Sequence, residues 1–119
     1  MASGSHVVLI STSLSSIPVV APNYLLYVST KGAIEQMTRL LSKDRARRGV
    51  SVNAIAPGPF GTDLFYKGKP ESVLKMIAGL RPHNRIGTAK EIADAIVDLS
   101  REGIRWVTGQ VLRVNGGAA

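Results

Sequence analysis

The chain has 119 residues, 45% hydrophobic and 19% charged, which describes one ordinary globular domain, residues 1–119, with room for one core. It has no cysteine, so disulfides and thiolate metal sites are excluded and a reducing compartment, the cytoplasm first, is expected. The net charge of +7 raises a polyanionic partner, but aromatics are 5% of the chain and none interleaves the Arg39, Lys43, Arg45, Arg47, Arg48 cluster, so no nucleic acid is expected.

Met1 to His6 carries no basic patch ahead of a signal-length apolar segment. The run Val7 to Ile10 is far shorter than the roughly 20 residues that span a bilayer, so neither secretion nor membrane insertion is expected. Val7 to Ile10 is a continuous aliphatic run, the pattern of a strand covered on both faces. Ser11 to Ser16 follow at its carboxyl end, where open α/β sheets bind ligands; the same serines are also plain loop composition. Pro18 and Pro22 exclude regular helix until Asn23, a good N-cap. From Asn23 to Arg48, Ile34, Met37 and Leu41, with Ala33 and Leu40, recur at three and four residues, marking a long amphipathic helix that Gly49 ends in a left-handed cap. Val50 to Ala56 is the second strand, stopped by Pro57-Gly58, and strand, helix, strand implies a right-handed parallel crossover.

Between Pro59 and Gly87 prolines and glycines break the pattern, and only Glu71 to Leu80 reads as helix. Such an excursion after a strand's carboxyl end forms a lid or substrate wall, or else a merely irregular connection. Thr88 with Glu91 is a capping box, and Ile92, Ile96 and Leu99 form the buried stripe of the helix it opens, which Arg101 to Val107 closes. Gly109 to Val114 is the third strand, ended by Asn115-Gly116-Gly117. His6 and His83 have no partner at metal-ligand spacing, so no metal is expected.

Tyr27 and Lys31 stand four residues apart, on one face of the long helix. An ammonium held near a phenol favours the phenolate and makes the tyrosine usable as a general acid or base. The same spacing also suits a half-buried anchor beside a solvated lysine. Tyr24 has Val28 at its fourth position and lacks such a lysine.

Taken together, Ser13 at a strand end, the Tyr27-Val28-Ser29-Thr30-Lys31 helix, the Val52 to Gly58 strand and turn with Thr62, and the last strand through Asn115-Gly116-Gly117 resemble the carboxyl-terminal half of a short-chain dehydrogenase/reductase. The resemblance covers nearly all of the chain and implies a partial Rossmann-like, doubly wound α/β sheet: three parallel strands in sequential order with helices on both faces. It implies an NAD(P)-dependent oxidoreductase, with a slight lean to NADP, acting on a small-molecule carbonyl or alcohol. Tyr27 would be the general acid/base and Lys31 would hold the nicotinamide ribose. Ser13, preferred to Ser11 and Ser15, would hydrogen-bond the substrate oxygen. Cofactor contacts fall on Tyr27, Lys31, Pro57, Gly58, Phe60 and Thr62, and the substrate wall begins at Leu64, Phe65 and Tyr66. A homo-oligomer built on the Asn23 to Arg48 helix and the last strand is implied as well. The family's glycine-rich phosphate cradle is not found in the sequence. The chain therefore reads as a fragment of a reductase, as an inactive remnant keeping an interface, or as a basic nucleic-acid-binding module. An exposed first-strand edge, marginal stability in isolation, and cofactor binding no better than millimolar are expected of the chain alone.

Overall fold

The chain runs through β1 (His6–Ile10), 3₁₀ turns at Ser13–Ser16 and Pro22–Tyr24, α1 (Leu25–Ala46), β2 (Ser51–Pro57), β3 (Phe60–Gly61), α2 (Asp63–Tyr66), α3 (Glu71–Gly79), β4 (Gly87–Thr88), α4 (Ala89–Leu99), a 3₁₀ turn (Glu102–Ile104) and β5 (Val111–Val114) in a computed structural model that describes residues 1–17 and 20–118. Pro18, part of the argument for a delayed helix start, lies outside the described residues. The main sheet is parallel, in the order β1-β2-β5, the sequential order expected. β2 lies at its centre with every residue from Ser51 to Ala56 buried, whereas β1 is half-buried at the rim.

Alternation along β2 sends Asn53 and Ile55 to one face and Val52, Ala54 and Ala56 to the other. On the first face Ile55 packs with Ile92 and Leu99 of α4, joined by Val8, Ala95, Ile96 and Val114. On the second face lies α1. Ser11, continuing β1 on that side, has its Oγ 3.3 Å from the Lys31 carbonyl oxygen, and Gly109, bonded through its N–H to Val52 O, sits against Ser42. Both crossovers move the same way across the sheet, yet their helices cover opposite faces. Their hands are therefore opposite, and one of them departs from the right-handed preference.

α1 corrects the expected helix pattern. The residues it buries are Thr38 and Ser42, while Ala33, Met37 and Leu40 face outward. The surface beneath includes the small residues Ala54, Ala56 and Gly109, and at Gly109 the backbone approaches closely: a Cβ there would lie 2.7 Å from Ser42 Oγ. The two buried hydroxyls are satisfied within the helix, Thr38 donating to Ile34 O and Ser42 to Arg39 O, each at 2.8 Å. Asn23 is not the cap: it sits inside the Pro22–Tyr24 turn, Tyr24 occupies the N-cap without a side-chain bond, and Leu25 N–H donates to Pro22 O. Gly49 ends the helix as expected, at φ +67.

The Thr88–Glu91 capping box is present in full, but α4 stops at Leu99, so the stretch from Arg101 to Val107 is not its last turn. Within the excursion α3 matches the expected helix. The short α2 and the parallel pair β3–β4, with Phe60 opposite Gly87 and Gly61 opposite Thr88, have no sequence signal. That pair clips together the two ends of the excursion. Among the described residues no helix is long and apolar enough to cross a membrane.

Candidate active site

The carboxyl ends of the parallel strands β1, β2 and β5 lie at one end of the sheet, and Ser13, Lys31 and Gly58 are hydrogen-bonded to them there. Tyr27, in the first turn of α1, is 46% exposed. Lys31 is one turn further on, with Nζ 5.9 Å from the Tyr27 ring centroid. It donates to Ile10 O at 3.0 Å, which pins the ammonium over the end of β1 and leaves two N–H groups to offer. Among the described residues no hydrogen bond engages the Tyr27 hydroxyl.

Ser13 is buried and committed. Its Oγ donates to Ala56 O at 2.8 Å and accepts from Asn115 Nδ2 at 3.1 Å, while Asn115 Oδ1 accepts from Gly117 N at 3.0 Å. One hydroxyl and one amide thus tie three strand ends together, and the structure does not join Ser13 to Tyr27 by a hydrogen bond. The flanking serines turn the other way. Ser11 Oγ donates to Glu35 Oε2 at 2.6 Å, and Ser15 Oγ donates to the same oxygen. Thr12 accepts from Leu14 N at 3.3 Å and caps the turn.

Glu35 was missed in the sequence, although the signal was present: it stands four residues past Lys31 and eight past Tyr27, on the same helix face, opposite a row of hydroxyls. It fastens the serine turn to the helix that carries Tyr27. Asn115 was read only as the end of a strand.

Pro57 closes β2, and Gly58 N donates to Val114 O at 2.9 Å. A Cβ at Gly58 would lie 2.8 Å from Asn115 Cβ, so only glycine fits this turn unshifted. Phe60 packs its ring against the α4 core cluster, which leaves its main chain, rather than its side chain, for the site. Thr62 Oγ1 accepts from Phe65 N at 3.1 Å, capping α2, and keeps its own proton to donate. Leu64 is 82% exposed, and Phe65 and Tyr66 meet edge to face at 5.6 Å. Gly61 makes room for Tyr66, whose hydroxyl would be 2.6 Å from a Cβ there. Among the described residues no group of three His, Cys, Asp or Glu side chains could hold a metal ion.

Where the excursion rejoins the sheet, Arg85 Nη1 and Nη2 donate to the two oxygens of Glu91 at 2.7 and 2.9 Å. Arg85, with the Thr88 N–H behind it, lowers the Glu91 carboxyl to about 2.

A family model described as enoyl-(acyl carrier protein) reductase matches residues 1–119. A short-chain type dehydrogenase/reductase from Picea abies is 36% identical over 96% of this chain and 41% of its own length. An NADPH-dependent aldehyde reductase-like protein, chloroplastic, from Arabidopsis thaliana is 33% identical over 96% of this chain and 42% of its own. The chain thus spans about two fifths of these curated relatives. Among solved structures, a blue fluorescent protein from a metagenomic library, in complex with NADPH, superposes with a TM-score of 0.90 at 30% identity, covering 100% of this chain and 47% of that one.

Proposed function

The chain belongs to the short-chain dehydrogenase/reductase family, and from that membership we propose that it is the proton-handling part of an NAD(P)-dependent oxidoreductase acting on a small-molecule carbonyl or alcohol. The observation that carries the reading is the half-exposed Tyr27 hydroxyl, without a partner among the described residues, one helical turn from an ammonium fixed at the sheet's carboxyl end. A bound nicotinamide cofactor supplies the hydride to the carbonyl carbon, or accepts it from the alcohol. Tyr27 gives its phenolic proton to the carbonyl oxygen in reduction and recovers one from the alcohol in oxidation.

The residues present suit the nicotinamide end of such a cofactor. Lys31 has two spare N–H groups for ribose hydroxyls, the bare Cα of Gly58 lets the Pro57–Gly58 turn approach closely, and the main chain at Phe60 and the Thr62 hydroxyl offer polar contacts. Ser13 reaches a substrate oxygen only by giving up its bond to Ala56 O. In this reading it steadies the strand ends first and stabilises the oxygen only after rotating. The relatives whose names carry NADPH support NADP over NAD. A reducing compartment, the cytoplasm in the first instance, suits a chain without cysteine, and the Arabidopsis relative is named chloroplastic.

The test is made in the full-length protein. Tyr27→Phe lowers the reduction rate by about 10²–10⁴-fold with cofactor affinity nearly unchanged, and Lys31→Ala weakens cofactor binding as well as rate. A Tyr27→Phe enzyme retaining half its activity would sink the assignment.

Assembly is part of the same proposal. Met37 and Leu40 lie on the solvent side of α1 and Leu112 is exposed on β5, surfaces suited to a second copy of the chain. Met37→Glu is expected to reduce the particle size measured by light scattering, and an unchanged oligomer would argue that this helix face is free.

A further inference from the structure

Between the end of the excursion, the start of α4 and the end of β5 there is a cavity of about 110 Å³, lined in part by Arg81, His83, Arg85, Glu91, Asn115 and Gly116. Neither Tyr27 nor Lys31 lines it, although Asn115, one of its walls, also holds Ser13. Its unusual member is Arg81. This residue is only 7% exposed, and of the five N–H donors of its guanidinium one, on Nη1, is engaged among the described residues, with Ile77 O at 2.8 Å. Nη2 lies under the Pro57–Gly58 turn, 3.5 Å from where a Gly58 Cβ would stand. Among the described residues no carboxylate comes within ion-pair distance of Arg81.

Arginine is rarely buried without a counter-ion, because a desolvated charge is strongly unfavourable unless it is paired. Burial accordingly lowers the Arg81 pKa from its ordinary value. The other charges lining the cavity are matched among themselves. Arg85 is bidentate to Glu91, and Glu91 Oε1 also accepts from Thr88 N at 3.0 Å and Thr88 Oγ1 at 3.2 Å. Glu91 is thus already paired with Arg85, and no ion pair joins it to Arg81. Among the described residues the Arg81 guanidinium has no carboxylate partner, the His83 imidazole also lines the cavity, and there is room for several waters or one small ion.

We propose that this cavity is a binding site for a small oxyanion, a carboxylate or phosphate group, taken by the unused fork of Arg81. A planar fork matches two oxygens of such a group with parallel hydrogen bonds, which a point charge does not. The site rests on charge and burial alone, so it stands or falls separately from the assignment of Tyr27.

The full-length protein is titrated with sodium phosphate and, separately, sodium acetate at constant ionic strength, by calorimetry and by the rise in melting temperature that binding to the folded state produces. One saturable site per chain is expected, weakened at least tenfold in Arg81→Met. Preference for phosphate or for acetate identifies which group the cavity takes. Lys75→Met, which removes a cation that is 77% exposed, is the control for general attraction to a basic chain and is expected to leave binding unchanged. If Arg81→Met fails to fold, Arg81→Lys decides, because it keeps the charge and loses the fork; binding several-fold weaker is expected. Absence of saturable binding, affinity unchanged in the folded Arg81 variant, or equal loss in Lys75→Met each overturns the proposal.

Discussion

β2 and the excursion of residues 62–86 follow each other almost directly in the chain and are built on opposite terms. In β2 every residue from Ser51 to Ala56 is buried, both neighbours pair with it, and even its polar Asn53 is satisfied, donating to Val107 O at 2.9 Å and accepting from Gln110 N at 3.1 Å. In the excursion neither α2 nor α3 buries a single residue, and the segment is fastened at its ends by the two-residue β3–β4 pair and the capping box. The contrast separates two tasks. The sheet fixes where the strand ends meet, and with them Ser13, Gly58 and Asn115. The excursion is held at its roots and leaves its apolar side chains, Leu64, Met76 and Leu80, to contacts outside this chain's own core.

The comparison can be broken by mutation, and the largest effect belongs to the sheet. Ile55→Ala empties the centre of the cluster with Ile92 and Leu99, so a loss of about 2–5 kcal/mol is expected in urea unfolding of the full-length protein. A loss below 1 kcal/mol would mean that β2 is not the load-carrying strand.

Next come the roots of the excursion. Thr88→Ala removes the hydroxyl that accepts from Glu91 N at 3.1 Å and is expected to cost about 1 kcal/mol. The same root responds to pH. The folded Glu91 carboxyl, at about 2, lies below its ordinary 4.5, so its contribution is complete above the ordinary value and disappears as pH falls towards the folded one. Stability measured at pH 6 and pH 3 should therefore differ more in the parent protein than in Glu91→Gln. Equal differences would show that the Arg85–Glu91 pair does not hold this root.

The smallest effect belongs to the excursion itself. Leu64→Ala should change stability by no more than about 0.5 kcal/mol, while raising the KM for substrate if this segment is the substrate wall. A stability loss matching that of Ile55→Ala would erase the distinction between the two regions.

Much of the frame was legible residue by residue. An unbroken aliphatic run gave β1, Gly49 gave the helix end, and Thr88 with Glu91 gave the capping box, because each of these is decided within a few residues. The Asn23 cap failed for a local reason too: a 3₁₀ turn begun by Pro22 already supplies the carbonyl that the first helical N–H needs. The face of α1 failed for a distant one. Periodicity identifies an apolar stripe, but the surface under the helix includes Ala54, Ala56 and Gly109, far off in the chain, and small residues there admit Thr38 and Ser42 in place of leucines.

The sequence by itself determined the order of the three main strands and their long helices, the parallel sheet, and the placing of Tyr27 and Lys31 together, since helical geometry puts residues four apart on one face whatever surrounds them. Only the tertiary structure decided that the Ser13 hydroxyl is spent on Ala56, 43 residues away, and on Asn115, 102 residues away, that Glu35 collects two serines, and that Arg81 is buried without a carboxylate among the described residues. Hydrogen bonding and desolvation act between whatever groups folding brings together. Serine and arginine look the same in a sequence whether they end in water or against a carbonyl, and separations of this length leave no local pattern from which to tell.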